Sequence, residues 1–141
     1  MKGRFPYTAL PKYSHLRPED VAIWERFIQR YPNFYESVDY DLKVGTSREY
    51  PEAEEDEYKK DLEYLSRKRI DVVGYKGDEI HIIELKPKAS FSAIGQVIGY
   101  TDLYRPFAEK GSLVSSVIIT DEEIPDIKDL CFKRGILYFV V

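Results

Sequence analysis

Two runs of β-branched residues stand on either side of a Gly77-Asp78 dipeptide: Arg69-Ile70-Asp71-Val72-Val73-Gly74-Tyr75 and Glu79-Ile80-His81-Ile82-Ile83-Glu84-Leu85-Lys86. Such runs joined by a two-residue Gly-X loop predict a hairpin with a type II′ turn. That loop pairs Lys76 with Glu79. Counting back, Tyr75 meets Ile80, Val73 meets Ile82, and Asp71 stands opposite Glu84. Strand side chains alternate, so Lys86 projects to the face of Glu84, two residues further on. Val73, Tyr75, Ile80 and Ile82 fill the rest of that face, while Val72, Ile83 and Leu85 fill the other. An apolar residue set on both sides predicts a central strand pair buried on both faces.

The same patterning places the other elements. Pro18 suits a first helical position, Glu19 and Asp20 suit a first turn, and Val21, Trp24, Phe27, Ile28 and Tyr31 form an apolar stripe, which predicts a helix ending near Pro32. Ser37 to Val44 reads as a strand, with Val38, Tyr40, Leu42 and Val44 on one side and Asp39, Asp41 and Lys43 on the other. Ser90 caps a second helix running to about Arg105, where Pro106 breaks or kinks it. Gly95 and Gly99 suggest that this helix approaches the sheet closely. Leu113 to Thr120 is a strand, Ile124 to Arg134 a short helix ended by Gly135, and Ile136 to Val141 a last strand. The order is αβββαβ with an added αβ unit. The expected class is α/β, one mixed sheet flanked by helices.

Two carboxylates opposed across a ladder repel, so a fold that keeps them together supplies a proton, a cation or a metal. Oxygen ligands of this kind suit Mg²⁺ or Mn²⁺. Lys86 beside them would position a water and offset phosphate charge, a combination fitted to phosphodiester hydrolysis. The competing reading is a solvated hairpin end carrying ordinary charges. A three-residue loop would move Asp71 to the opposite face and remove the arrangement.

Asp71 followed by Glu84-x-Lys86 at the end of the next strand resembles the PD-(D/E)XK nuclease superfamily. Gln96-Val97-Ile98-Gly99-Tyr100 is similar to the Gln-x-x-x-Tyr motif of its RecB-like branch. The resemblance spans residues 69 to 104. It implies a restriction-endonuclease-like αβββαβ core and a Mg²⁺ or Mn²⁺ ion held by Asp71, Glu84 and the Leu85 carbonyl. It also implies that Lys86 orients or helps deprotonate the attacking water, and that Gln96 and Tyr100, on one helix face, buttress the site or touch the substrate strand. Some superfamily members carry a glutamate on their first helix near the metal, which makes Glu25 a candidate fourth ligand; the alternative is an ordinary solvated helix glutamate. For Gln96 and Tyr100 the alternative is core packing with one hydrogen bond. The activity implied is a metal-dependent DNA nuclease acting on single strands, ends or flaps. A Holliday-junction resolvase and a catalytically inactive nucleic-acid-binding module stay open, and RNA is not separated from DNA.

Charge refines this picture. The chain of 141 residues has net charge −4. Residues 49–63 hold eight acids and two lysines, net −6, so the remainder is +2. The domain is expected to run from 18 to 141 with an acidic insertion or helix at 46–66, in which Tyr58, Leu62 and Leu65 share one side. Residues 1–17 form a basic and aromatic arm with no acid before Glu19. Its rings either contact unstacked bases or pack on the domain or a partner subunit. Arg67, Lys68, Arg69, Lys88 and Ser90 lie closer to the expected centre and are the better candidates for nucleic-acid contacts.

Other classes recede. No stretch is long and apolar enough to span a bilayer, and no signal-peptide hydrophobic region opens the sequence, so a cytoplasmic location is expected, in a host cell if the gene is viral. The single cysteine, Cys131, excludes an intrachain disulfide and a four-cysteine cluster, and its place in an apolar stripe predicts a buried thiol. His15 and His81 form no metal or triad pattern, with His81 on the face away from Glu84. Few Asn, Gln, Met and Cys residues suggest a heat-adapted microbe or its virus. The apolar end from Ile136 to Val141 has to be covered, which suggests a homodimer.

Overall fold

A computed structural model of the chain describes residues 2–45 and 68–141. The acidic segment expected at 46–66 lies outside the described residues, as does Arg67. Among those described, one six-stranded mixed sheet carries three helices. The strands stand side by side in chain order: β1 (Phe5–Pro6), β2 (Ser37–Val44), β3 (Lys68–Lys76), β4 (Glu79–Leu85), β5 (Leu113–Thr120) and β6 (Leu137–Val140). Neighbours from β1 to β4 are antiparallel, whereas β4, β5 and β6 run parallel. Parallel neighbours need long crossovers, and the helices α2 (Phe91–Tyr104) and α3 (Pro125–Lys133) supply them; α1 (Pro18–Arg30) precedes β2. The α/β class and the mixed sheet expected from the hydrophobic pattern are present.

The β3–β4 hairpin has the register that its turn dictates. Lys76 pairs with Glu79, Tyr75 with Ile80, Val73 with Ile82 and Val72 with Ile83. Gly77 takes a φ of 58° while Asp78 stays out of the positive-φ set, the pattern of a II′ rather than a I′ turn. Val72, Ile83 and Leu85 join one buried cluster with Trp24 and Phe27 of α1. Val73, Tyr75, Ile80 and Ile82 join a second, on the other face, with Tyr104 of α2. Burial on both faces removes the hairpin's core from water, so any charge left at its end needs a partner.

Strand β2 departs from simple alternation. Val38 and Tyr40 pack in the α1 cluster, but Leu42 and Val44 pack in the other one. The expectation that all four share a side is therefore corrected. The change of face falls at Asp41, whose φ is 52°. Its register partner, between Tyr40↔Val72 and Leu42↔Ile70, is Asp71, and that one step is missing from the ladder. Two like charges directly opposed across a ladder are unfavourable. The Asp41 carboxylate lies 3.7 Å from Arg69 Nε and 3.4 Å from His15 Nε2, basic groups that offset it, although its charge still reaches Asp71.

Helix α1 begins with Pro18 at its first position, as expected, and buries Ile23, Trp24 and Phe27. Trp24 Nε1 donates to the Tyr40 hydroxyl at 2.8 Å, tying the helix to β2. Residues 2–17 pack on the domain: Phe5 and Pro6 pair with Val38 and Ser37, Tyr7 is buried beside Trp24, and Tyr13 lies edge-on to Tyr40. In α2, Ala93 and Val97 face the sheet with Ile118 and Cys131. Gly95 and Gly99 do not. Both are exposed, and a Cβ on either would meet nothing within 4 Å among the described residues. The close helix-to-sheet approach expected from these glycines is thus replaced by alanine and valine contacts. Gly74 is the glycine that does permit a close approach, since a Cβ there would stand 2.5 Å from the Tyr35 ring. Tyr35 in turn hydrogen-bonds Nδ1 of His81 at 2.8 Å, which places that histidine on the α1 face, away from Glu84. Cys131 is buried.

Candidate active site

The site lies at the open end of the hairpin. The β3–β4 register ends at Val72↔Ile83, and one step beyond it the Asp71 carboxylate accepts the Leu85 backbone N–H at 3.0 Å through Oδ2. The carboxyl groups of Asp71 and Glu84 lie within hydrogen-bonding reach of each other. Glu84 is 7% exposed. Burial raises the Glu84 pKa to about 9, reinforced by the Asp71 charge. Burial likewise raises Asp71, to about 6, with the Leu85 N–H acting in the opposite direction. Near neutral pH the pair therefore holds one proton between two carboxylates, as closely placed carboxyl groups do.

A cleft of about 330 Å³ opens over this pair. Asp71, Glu84, Leu85, Lys86 and Gln96 line it from the sheet and α2. His15, Arg17, Glu19 and Asp20 line it from the opposite side, at the start of α1. The Lys86 ammonium sits close enough to both Glu84 and Asp20 to favour their charged forms. Lys86 is positioned by its backbone, whose N–H donates to Ile119 O at 3.1 Å. Asp20 is held at the helix N-terminus by the Arg17 backbone N–H, and burial raises its pKa. Its charge also pushes up both Asp71 and Glu84.

The five residues expected to carry chemistry come together. Asp71, Glu84, Lys86 and Gln96 line one cleft. Tyr100 lines an adjoining apolar trough of about 400 Å³ with Lys68, Gly95, Gln96, Gly99 and Leu103. After burial, the charges of Glu84 and Asp71 raise its phenol pKa, which places it within their reach. Glu25 does not line the cleft; the acidic side chain that α1 brings there is Asp20. Five residues along a helix is about 140° around its axis, so the two point in different directions, and Glu25 lies near Tyr13.

The expected nucleic-acid contacts divide. Lys68 lines the trough. Arg69 turns to His15 Nδ1 at 2.7 Å and to Asp41. Lys88 is 4.0 Å from Glu122, its N–H donates to Asp121, and it does not line the cleft. Ser90 holds the N-cap backbone position of α2 without a side-chain cap bond and also lies outside the cleft lining. Reasoning from sequence missed Asp20, Glu19, Arg17 and His15. The signal for Asp20 was present, because Pro18 at the first helical position puts Asp20 at the third, where a carboxylate reaches back to the cap.

Among the described residues no group of three or more His, Cys, Asp or Glu side chains stands at metal-ligating spacing. The cleft offers instead two adjacent carboxylates. Mg²⁺ and Mn²⁺ are commonly held by one or two carboxylates, with water and phosphate oxygens completing the shell. The donor set fits such an ion, because a divalent cation would replace the proton that the Asp71–Glu84 pair needs in order to stay together. Comparison with protein-family models, curated proteins and solved structures finds no match for this chain.

Proposed function

We propose that this chain is a metal-dependent DNA nuclease with a PD-(D/E)XK-type site on a restriction-endonuclease-like core. The observation that carries the proposal is the adjacent, buried Asp71–Glu84 carboxyl pair lining an open cleft with Lys86 beside it. A carboxylate pair kept at the cost of mutual repulsion does nothing for packing; it makes sense as a receptor for a cation. Asp71, Glu84 and the Leu85 carbonyl would hold Mg²⁺ or Mn²⁺. Such an ion lowers the pKa of a water and offsets charge on a phosphoryl oxygen. Lys86 orients the attacking water and stands against the phosphate's negative charge. Asp20, fixed by the Arg17 N–H, provides a further acceptor for that water. Gln96 faces the cleft from α2, and Tyr100 supports it from the neighbouring turn.

Single-stranded, end or flap DNA is the substrate class we favour. No helix among the described residues is long and apolar enough to cross a membrane, and we place the enzyme in the cytoplasm. A homodimer is proposed through β6, one of the two edge strands, where Leu137 is 41% exposed and the ladder has no partner on its free side among the described residues; light scattering that finds only monomer would remove it. The function is tested with labelled single-stranded, duplex, flap and four-way-junction DNA, and single-stranded RNA, in Mg²⁺, Mn²⁺ or EDTA. Metal-dependent cleavage that is lost in Asp71→Ala and in Lys86→Ala supports the nuclease. No cleavage of any substrate, with binding unchanged in both variants, would leave a nucleic-acid-binding module.

A further inference from the structure

The cleft does not stand alone. On one side it shares Gln96 with the trough along α2, and on the other it shares His15 with a hollow of about 390 Å³ lined by Arg4, Phe5, Tyr40, Asp41 and Lys43 among others. The three concavities thus adjoin at two shared residues, with Asp71 and Glu84 lining the middle one. Each flank carries rings and cations. The trough has Tyr100 and Lys68, and the hollow has Phe5, Tyr40, Arg4 and Lys43. Phe5 is 37% exposed, and exposed rings offer stacking faces that only unpaired bases can use.

Resting on the nuclease reading, we propose that these concavities form one continuous track that holds a single polynucleotide strand on both sides of the scissile phosphate. An enzyme built to digest from an end stops the chain one or a few nucleotides past the scissile bond. A track that continues in both directions accepts a strand through its middle. The reaction is then endonucleolytic: water adds to phosphorus, one P–O ester bond breaks, and the leaving oxygen takes a proton, giving an internal phosphomonoester end and a hydroxyl end.

The test is a covalently closed single-stranded DNA circle beside the same sequence in linear form, with Mg²⁺. We expect the circle to be opened to unit-length linear DNA at an initial rate within about threefold of the linear strand, which yields internal fragments. Stepwise shortening of the linear strand from one end, with the circle intact, overturns the track while leaving the nuclease standing. If neither DNA is cut, the nuclease reading itself fails, and the track with it. Phe5→Ala in the hollow and Gly99→Leu in the trough test the two flanks. Each should raise the KM for a 20-nucleotide strand about fivefold or more, the effect of losing one stacked base or its space. Gly99→Leu adds a better helix former where a Cβ meets nothing within 4 Å among the described residues, so its thermal midpoint should match or exceed the parent's. An unchanged KM in both variants overturns the proposal.

Discussion

Two buried carboxylate sites lie on strands of this sheet that flank β3, and they are built on opposite rules. Asp39 of β2 is 8% exposed and Glu84 of β4 is 7% exposed. Asp39 is surrounded by donors, accepting the Arg4 N–H at 2.9 Å on one oxygen and the Tyr75 hydroxyl at 2.6 Å on the other. Glu84 is given another carboxylate, Asp71, with Asp20 adding further negative charge. A carboxylate satisfied by neutral donors is a structural part, because it ties β1, β2 and β3 together and asks for nothing more. A carboxylate paired with another is an unfinished site. Burial does not separate the two; what surrounds each carboxylate does.

The sharpest way to break that contrast is to remove one carboxylate from each site. Asp71→Ala should lower cleavage roughly a thousandfold or more, since a metal-assisted step is worth several kcal/mol. In EDTA its thermal stability should change little, because relief of the carboxylates' crowding offsets the loss of the acceptor for the Leu85 N–H. Asp39→Ala should do the reverse. It strands a buried Tyr75 hydroxyl and the Arg4 N–H, costing about 1–3 kcal/mol of stability, with a far smaller loss of activity. Urea melts and initial cleavage rates on both variants decide the matter. A destabilised Asp71→Ala that keeps its activity would reverse the assignment of the two sites.

A second test separates the carboxylates of α1. Asp20 lines the cleft and influences both Asp71 and Glu84, whereas Glu25 stands elsewhere. Asp20→Asn should cost about 10- to 100-fold in activity, the usual price of a group that orients a metal's shell. Glu25→Gln should stay within about twofold of the parent, as surface changes away from a site generally do. Equal losses in the two variants would contradict the helix orientation described here.

Much of this was written in the sequence, and the reason is local. A two-residue loop at Gly77-Asp78 fixes the register of every pair behind it, so the meeting of Asp71, Glu84 and Lys86 followed from counting. Helix starts and stops were likewise set by Pro18, Pro106 and Gly135. What counting could not reach was any feature set by tertiary packing. The change of face falls where Asp41 comes opposite Asp71, a residue thirty positions away that no β2 pattern contains. The orientation of Gly95 and Gly99 depends on Ala93 and Val97 winning the sheet-facing positions. Asp20 was chosen over Glu25 by the direction in which α1 enters the sheet.

The shared proton gives the comparison a pH dependence. The folded Glu84 pKa, raised to about 9, lies above its unfolded value. Between the two the native state binds more protons than the unfolded state, so stability falls as pH rises across that window. In EDTA the protein should therefore lose stability steadily from pH 5 to pH 9, and Glu84→Gln should flatten that decline. Mg²⁺ should restore stability at the alkaline end and, on binding near pH 7.5, release about one proton, readable by calorimetry in buffers of different ionisation heat. A flat profile in EDTA, or metal binding with no proton release, would mean that the carboxylates are not coupled.

The smallest expected effect concerns two lysines that the sequence ranked together. Lys68 lines the trough next to Gln96, but Lys88 is 76% exposed and lies near Glu122. The joined concavities carry five lysine and arginine side chains against six carboxylates, so a polyanion finds no net attraction there until protons or a divalent ion compensate. Binding of a 20-nucleotide strand, measured in Ca²⁺ to hold cleavage back, should therefore weaken severalfold in EDTA. Under the Ca²⁺ condition Lys68→Ala should cost a few-fold in affinity and reduce the slope of log K against log salt by about 0.7, the signature of one lost phosphate contact on a single strand. Lys88→Ala should leave that slope where it was. If the two lysines behave alike, the strand does not follow α2, and the lining of the trough has to be explained by something other than substrate.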